Sequence, residues 1–185
     1  MKLVYTQDLK FCSRKAVWVR FPPRAPMKIR TETVIDPSAE ILTLQEKMVT
    51  EVTNLLPTSN VEVVGSMAVP MAGRPELDIL VISDNIANDS EILSSNGYKQ
   101  GPIINETSFL KKMCDNVEVA IQIMSSDNKM VGIHRKLIEV LRNDEVLKNR
   151  YEEFKRTLSG LSREEYKKQK SDWLETNILP LIKSK

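Results

Sequence analysis

Residues 61–83, VEVVGSMAVPMAGRPELDILVIS, gather the side chains that phosphate and metal chemistry need: a Gly-Ser pair, an arginine and two carboxylates. Gly65 lets backbone approach a ligand closely, and Ser66 offers a hydroxyl and an amide to an anionic oxygen. Nine residues separate Ser66 from Glu76, and Glu76 and Asp78 stand at the entrance of the apolar run Leu77 to Ile82. Carboxylates at the mouth of a buried strand are costly without a partner. Strand alternation turns both to one face, about 7 Å apart, where they could share a divalent cation and a phosphate. Arg74 brings a guanidinium fork for an anionic oxygen.

The run resembles the nucleotidyltransferase superfamily pattern, a Gly-Ser or Gly-Gly pair followed some ten residues later by an acidic-apolar-acidic triplet. More closely it is similar to the GrpB family, whose hallmark reads Gly-Ser-Thr-x-Val-Pro-Gly-Leu-x-x-Lys-Pro-x-x-Asp-Ile-x-Val. Gly65, Ser66, Val69 and Pro70 match its first half; Pro75, Asp78, Ile79 and Val81 match its second half if the loop between Pro70 and Arg74 is one residue shorter. Met67, Met71, Ala72 and Arg74 replace the usual Thr, Gly, Leu and Lys, and the downstream strand lacks the family's His-x-His pair. The resemblance extends to the C-terminal third, where Tyr151 to Lys155 and Tyr166 to Lys170 repeat a Tyr-x-x-x-Lys motif, and covers residues 27–181.

The resemblance implies a mixed sheet flanked by helices, of class α/β (α+β), carrying a metal-dependent nucleotidyltransferase site. Glu76, Asp78 and Glu118 would be the catalytic metal ligands for magnesium, Glu118 coming from a neighbouring strand with Gln122 on the same face. Gly65, Ser66 and Arg74 would hold the phosphates of a nucleoside triphosphate, for transfer to an unidentified small-molecule or protein acceptor. Two registers stay open: with Asp78 as the first acid the second position is Leu80, and a ligand is lost; with Glu76 first the triplet is complete, the preferred choice. Glu76 can also be read as a solvated residue after Pro75. Two other functions compete. One is a nucleotide- or phosphoester-binding module without turnover; the other is a partner-assisting module like those appended to dephospho-coenzyme A kinases, which predicts an exposed apolar patch at Met67, Val69, Pro70 and Met71.

Elements that could position these groups follow from periodicity. Helical spacing from Ile41 to Leu56, opened by Pro37-Ser38 and ended by Pro57, predicts a first helix. Val61 to Val64 and Leu77 to Ile82 read as strands, Ile86 to Leu93 as a weak helix before Asn96-Gly97, and Thr107 to Met113 with Val117 to Met124 as a strand pair turning at Asp115-Asn116. The sheet thus has at least four strands. Beyond residue 127, three helices are divided at Asn143-Asp144 and at residues 159–162, the last opened by a Ser162/Glu165 capping box. On that last helix Tyr166, Trp173, Leu174, Ile178 and Leu181 form a core stripe while the lysines face solvent, a reading preferred over a ligand-binding role for Tyr166 and Lys170. His134 is expected on a helix surface. The Met-rich loop 67–73 can line a pocket or pack under the helices.

Residues 1–26 differ in kind, with six Lys or Arg against one acid and three of the nine prolines. FCSRKAVWVRFPPRAP resembles a conceptual translation of a transfer RNA gene, Val-Arg-Phe reading back as GTTCGATTC, so Met27 is expected to be the true start and residues 1–26 disordered. Residues 27–185 then form one domain, a sheet-containing core to 126 and a helical tail from 127, with a net charge of −3 in place of the whole chain's +2. Such a domain does not advertise nucleic-acid binding. No run approaches a membrane span, and with Cys12 set aside among residues 1–26, Cys114 alone cannot form an internal disulfide, so a reducing, cytoplasmic setting is expected.

Overall fold

The structure is a computed structural model and describes residues 31–183, with the side chain of Lys183 left aside. The reading of residues 1–26 lies outside the described residues. Elements run α1 (Ala39–Leu55), β1 (Asn60–Val64), β2 (Glu76–Ile82), α2 (Ile86–Ser95), β3 (Lys99–Ile104), β4 (Thr107–Cys114), β5 (Val117–Met124), α3 (Lys129–Asn143), α4 (Glu145–Thr157), α5 (Arg163–Asn177) and α6 (Leu179–Lys183). Among the described residues five strands form one mixed sheet in the order β1-β2-β5-β4-β3, parallel only between β2 and β5.

Strand alternation divides the work of the two faces. Leu77, Ile79 and Val81 of β2 join Val119, Ile121 and Ile123 of β5 in a core with Met48 and Val52 of α1 and Leu93 of α2. The opposite face of β2 starts polar, with Glu76 and Asp78, and continues with Leu80, which packs with Val64, Met124 and Val131 of α3. Over this second face the C-terminal helices build their own core, in which Leu141, Leu147, Tyr151, Ile178 and Ile182 enclose Val69 and Met71.

Local signals account for most boundaries. Ser38 caps α1 by accepting from Ile41 N, and Ser162 and Glu165 close the anticipated capping box on α5. Asp115 and Asn116 both take positive φ, the pair of left-handed residues that a two-residue β4–β5 hairpin turn needs. The strand β3 lies outside what periodicity indicated. It holds Gly101 and Pro102, its register shifts between Gln100 and Ile103, and it is exposed throughout, as suits an edge strand that pairs on one side only. The last helical stretch breaks at Ile178 before Pro180, so Leu181 leaves the apolar stripe and is exposed. Among the described residues no helix is long and apolar enough to cross a membrane.

Candidate active site

The Gly-Ser turn sits at the end of β1, where the chain must leave the sheet sharply. Gly65 takes φ +70°, and a Cβ there would collide with the Asp78 carboxylate on the neighbouring strand. Glycine is therefore required both by conformation and by the closeness of Asp78. The chain continues as a short 3-10 turn, Gly65–Ala68, held from α3 by Arg142 Nη2 donating to Ala68 O at 2.7 Å. The Met-rich loop that follows packs under the helices: Met71 is 1 % exposed and Met67 and Val69 are buried, while only Pro70 is open to solvent. The exposed apolar patch that the partner-assisting reading predicts there is absent, because α3, α4 and α6 close over the loop.

The N-terminal segment fastens these parts together. Ile35 and Gly73 exchange backbone hydrogen bonds of 2.8 and 2.9 Å, Glu32 N donates to Leu161 O, and Glu32 O accepts from Gly160 N. The loop that carries Arg74 and the α4–α5 turn are thereby tied to one strap of chain.

Ser66, Arg74, Glu76 and Asp78 line one pocket, whose remaining wall is Tyr166 and Lys170 of α5. Four of the anticipated residues thus meet. Glu118 lies beside Glu76 in the parallel β2–β5 register, while Asp78 is aligned with Ala120. Behind Ser66 stands Lys155 of α4, 0 % exposed and off the pocket wall, donating from Nζ to Ser66 Oγ at 3.1 Å. Its ammonium also lies 4.9 Å from the Tyr151 ring centroid. The lysines of the last helix were expected in solvent; instead Lys170 faces the pocket, and Lys155, the lysine of the first Tyr-x-x-x-Lys motif, is buried. The repeat was the available signal, since i, i+4 spacing puts tyrosine and lysine on one helix face, but only packing reveals that both faces turn inward. His134 is likewise half-buried, with Nε2 enclosed and without a hydrogen-bond partner among the described residues.

Charge at the site is nearly balanced by protein groups. Arg74 is ion-paired to Glu76 and lies 3.6 Å from Glu32, with its guanidinium 5.4 Å from the Tyr166 ring centroid. Arg163, at the start of α5, approaches Glu118 at 3.1 Å, Glu32 at 3.8 Å and Glu76 at 4.0 Å, and Lys111 lies 3.3 Å from Glu118. Burial pushes the Glu76 carboxyl up to about 7, with the Asp78 charge adding and Arg74 opposing. Burial also raises Asp78, against the nearby charges of Lys170 and Arg74. For Glu118 burial acts upward, but the hydrogen bond and charge of Arg163 outweigh it and hold the carboxyl below its ordinary value. Burial brings Lys155 down to about 7, opposed by Glu152, and lowers Lys170, opposed by Asp78.

These partners bear on a metal. A centre held by Glu76, Asp78 and Glu118 needs their oxygens free to coordinate. Here Arg74 occupies Glu76, and Arg163 and Lys111 occupy Glu118; Asp78 alone has no ion pair or hydrogen bond among the described residues. Among the described residues no group of three or more His, Cys, Asp or Glu side chains is arranged to hold a metal ion. The three-carboxylate centre does not fit this arrangement.

Comparison with known proteins places the architecture. A UPF0157 protein from Vibrio cholerae is 29 % identical over 143 residues, covering 71 % of this chain and 72 % of that one. The crystal structure of the conserved protein GrpB from Enterococcus faecalis superimposes with a TM-score of 0.62 at 22 % identity, over 68 % of this chain and 81 % of that one. A cytoplasmic RNA terminal U-transferase shares the fold at a TM-score of 0.50 and 14 % identity, over 65 % of this chain and 42 % of the transferase. The sheet and helices are thus of the nucleotidyltransferase type. The model of the family described as GrpB protein matches residues 33–178, nearly all of the described chain, and the chain belongs to the GrpB family.

Proposed function

We propose that the chain binds the phosphate groups of a nucleotide or related phosphoester in the pocket between the Gly-Ser turn and α5. The observation that supports this best is Lys170. It stands on the pocket wall, half-buried, and its ammonium makes no hydrogen bond or ion pair among the described residues, lying 5.9 Å from the Tyr166 ring centroid. A partly desolvated cation that no carboxylate binds closely is costly, and an anion entering beside it relieves that cost. Ser66 and Arg74 line the same space. Burial raises the Asp78 pKa, which lessens the repulsion this carboxyl offers an entering anion. On this reading Arg74 and Arg163 supply charge that a divalent ion supplies elsewhere, and the acidic residues orient those cations.

Magnesium-dependent nucleotidyl transfer is the second reading. It is supported by Glu76 and Asp78 sharing one face beside a Gly-Ser turn on this fold. It requires Arg74 and Arg163 to release Glu76 and Glu118.

Thermal unfolding of the full chain with each nucleoside triphosphate, pyrophosphate and inorganic phosphate, with and without magnesium, separates the readings. At a hundred times its Kd a ligand stabilises by about 2.7 kcal/mol, a shift of several degrees for a domain of this size. Phosphate binding predicts a shift without magnesium that Lys170→Met abolishes. A shift that appears only with magnesium and vanishes in Asp78→Asn favours transfer. No shift with any of these anions sinks both.

A further inference from the structure

Lys155 has a role that anion binding does not require. It is fully buried, it does not border the pocket, and no carboxylate lies within 4.0 Å of its Nζ among the described residues. A ligand in the pocket meets Ser66 first, with Lys155 behind it. The packing around Ser66 preserves this alignment. A Cβ on Gly73 would lie 2.8 Å from Ser66 Oγ and 3.9 Å from Lys155 Nζ, so a glycine at 73 leaves the space in which the two polar groups meet. The Gly73 backbone is fixed in turn by its paired hydrogen bonds to Ile35.

We propose that Ser66 and Lys155 form a serine–lysine dyad in which Ser66 Oγ attacks tetrahedral phosphorus bearing a leaving group and Lys155 Nζ receives the serine proton. The electrophile's class rests on the phosphate-binding reading above; the reactivity of Ser66 does not. In the step, the Oγ–P bond forms and the bond from phosphorus to the leaving group breaks. The leaving group departs with that electron pair as its anion, the serine proton stays on Lys155 Nζ as an ammonium, and Ser66 is left esterified. The base must be neutral at the outset, and burial provides for this by bringing Lys155 down to about 7. The charged and titratable groups around it are Glu152 and Arg156 on its own helix, Lys170 on α5 and the Tyr151 ring. Of these the Glu152 charge and the face of the Tyr151 ring favour the ammonium form, while the Lys170 and Arg156 charges disfavour it and burial outweighs both supports.

The test is covalent labelling of the full chain by a fluorophosphonate, in which fluoride leaves, with the site located by peptide mass spectrometry. The expected result is modification of Ser66, absent in Ser66→Ala and slowed about a hundred-fold in Lys155→Arg. Arginine keeps a cationic donor to Ser66 but cannot serve as a base, so a lysine that merely orients the hydroxyl would leave the rate unchanged. Gly73→Ala, which pushes on Ser66 Oγ, should also slow labelling. The wild-type rate should rise through an inflection near pH 7. Unlabelled Ser66, equal rates in wild type and Lys155→Arg, or a flat pH profile overturns the dyad; should the arginine variant fail to fold, the wild-type pH profile decides. Excess inorganic phosphate serves as competitor. Labelling that phosphate does not slow keeps the dyad and counts against the phosphate pocket, whereas a phosphate-induced thermal shift without labelling does the reverse.

Discussion

At Lys155 a single side chain sets function against stability. Its folded pKa lies near 7 and its unfolded value near 10.5, so between these the unfolded chain binds more protons and stability rises with pH. Below pH 7 the fold must carry a buried ammonium without a close counter-ion. Lys155→Met fills the same space without that burden and should be more stable than wild type at pH 6, by on the order of 3 kcal/mol. The difference should shrink toward pH 10. Urea unfolding of both proteins at the two pH values checks this, and a variant less stable at pH 6 would contradict it. Ser66, Asp78 and Gly65 were legible as chemistry from their types and spacing alone. Lys155 and Lys170 were not, because a lysine on an amphipathic helix looks the same whether its face meets water or a pocket.

Among the elements, α5 does most to complete the site. Its first residue, Arg163, reaches Glu118, Glu32 and Glu76; one turn on, Tyr166 and then Lys170 form the pocket wall. The helix begins where it does because Ser162 Oγ accepts from Glu165 N at 3.3 Å and Glu165 Oε2 accepts from Ser162 N at 3.2 Å. Ser162→Ala should therefore cost about 1 kcal/mol. Arg163→Gln should cost more than Ser162→Ala, since it leaves Glu32 and Glu118 partly buried with fewer cations. Chemical denaturation of the two variants side by side tests the ranking. The capping box was readable in the sequence, being a local pattern, whereas the pairing of Arg163 with an acid 45 positions earlier was not. The strand β3 was missed for a related reason: Gly101 and Pro102 suppress its local signal, and only the pairing with β4 makes it a strand.

The site also shapes how the whole molecule responds to pH. Glu76 is raised to about 7 and Asp78 is raised as well, so as pH climbs from about 4.5 to 7 the fold holds protons that the unfolded chain has released, and stability falls. Lys155 and Lys170 are lowered, so stability recovers as pH climbs further. Exposed carboxylates such as Asp36, which its hydrogen bond to Arg156 holds below the usual value, act in the other direction, but only at more acidic pH. The expected profile has a shallow minimum near neutrality that a bound phosphate lifts. Melting temperatures across pH 5 to 10 check this: a single maximum near pH 7 in the absence of ligand would refute it. Such a minimum is what a site built for charge rather than for stability produces.

What the sequence determined by itself was local. Alternation and caps defined β1, β2, β4, β5 and the helices, and the Gly-Ser to acidic spacing marked the mouth of β2, because these depend on periods of two to four residues and on turn chemistry. The tertiary structure decided which groups face one another. Folding α4 and α5 back over the polar start of β2 placed Lys155 behind Ser66 and Lys170 opposite Asp78, and it gave Glu76 and Glu118 to arginines. Whether a carboxylate can hold a metal or a lysine can act as a base depends on burial and neighbours brought from distant positions, which no local pattern encodes.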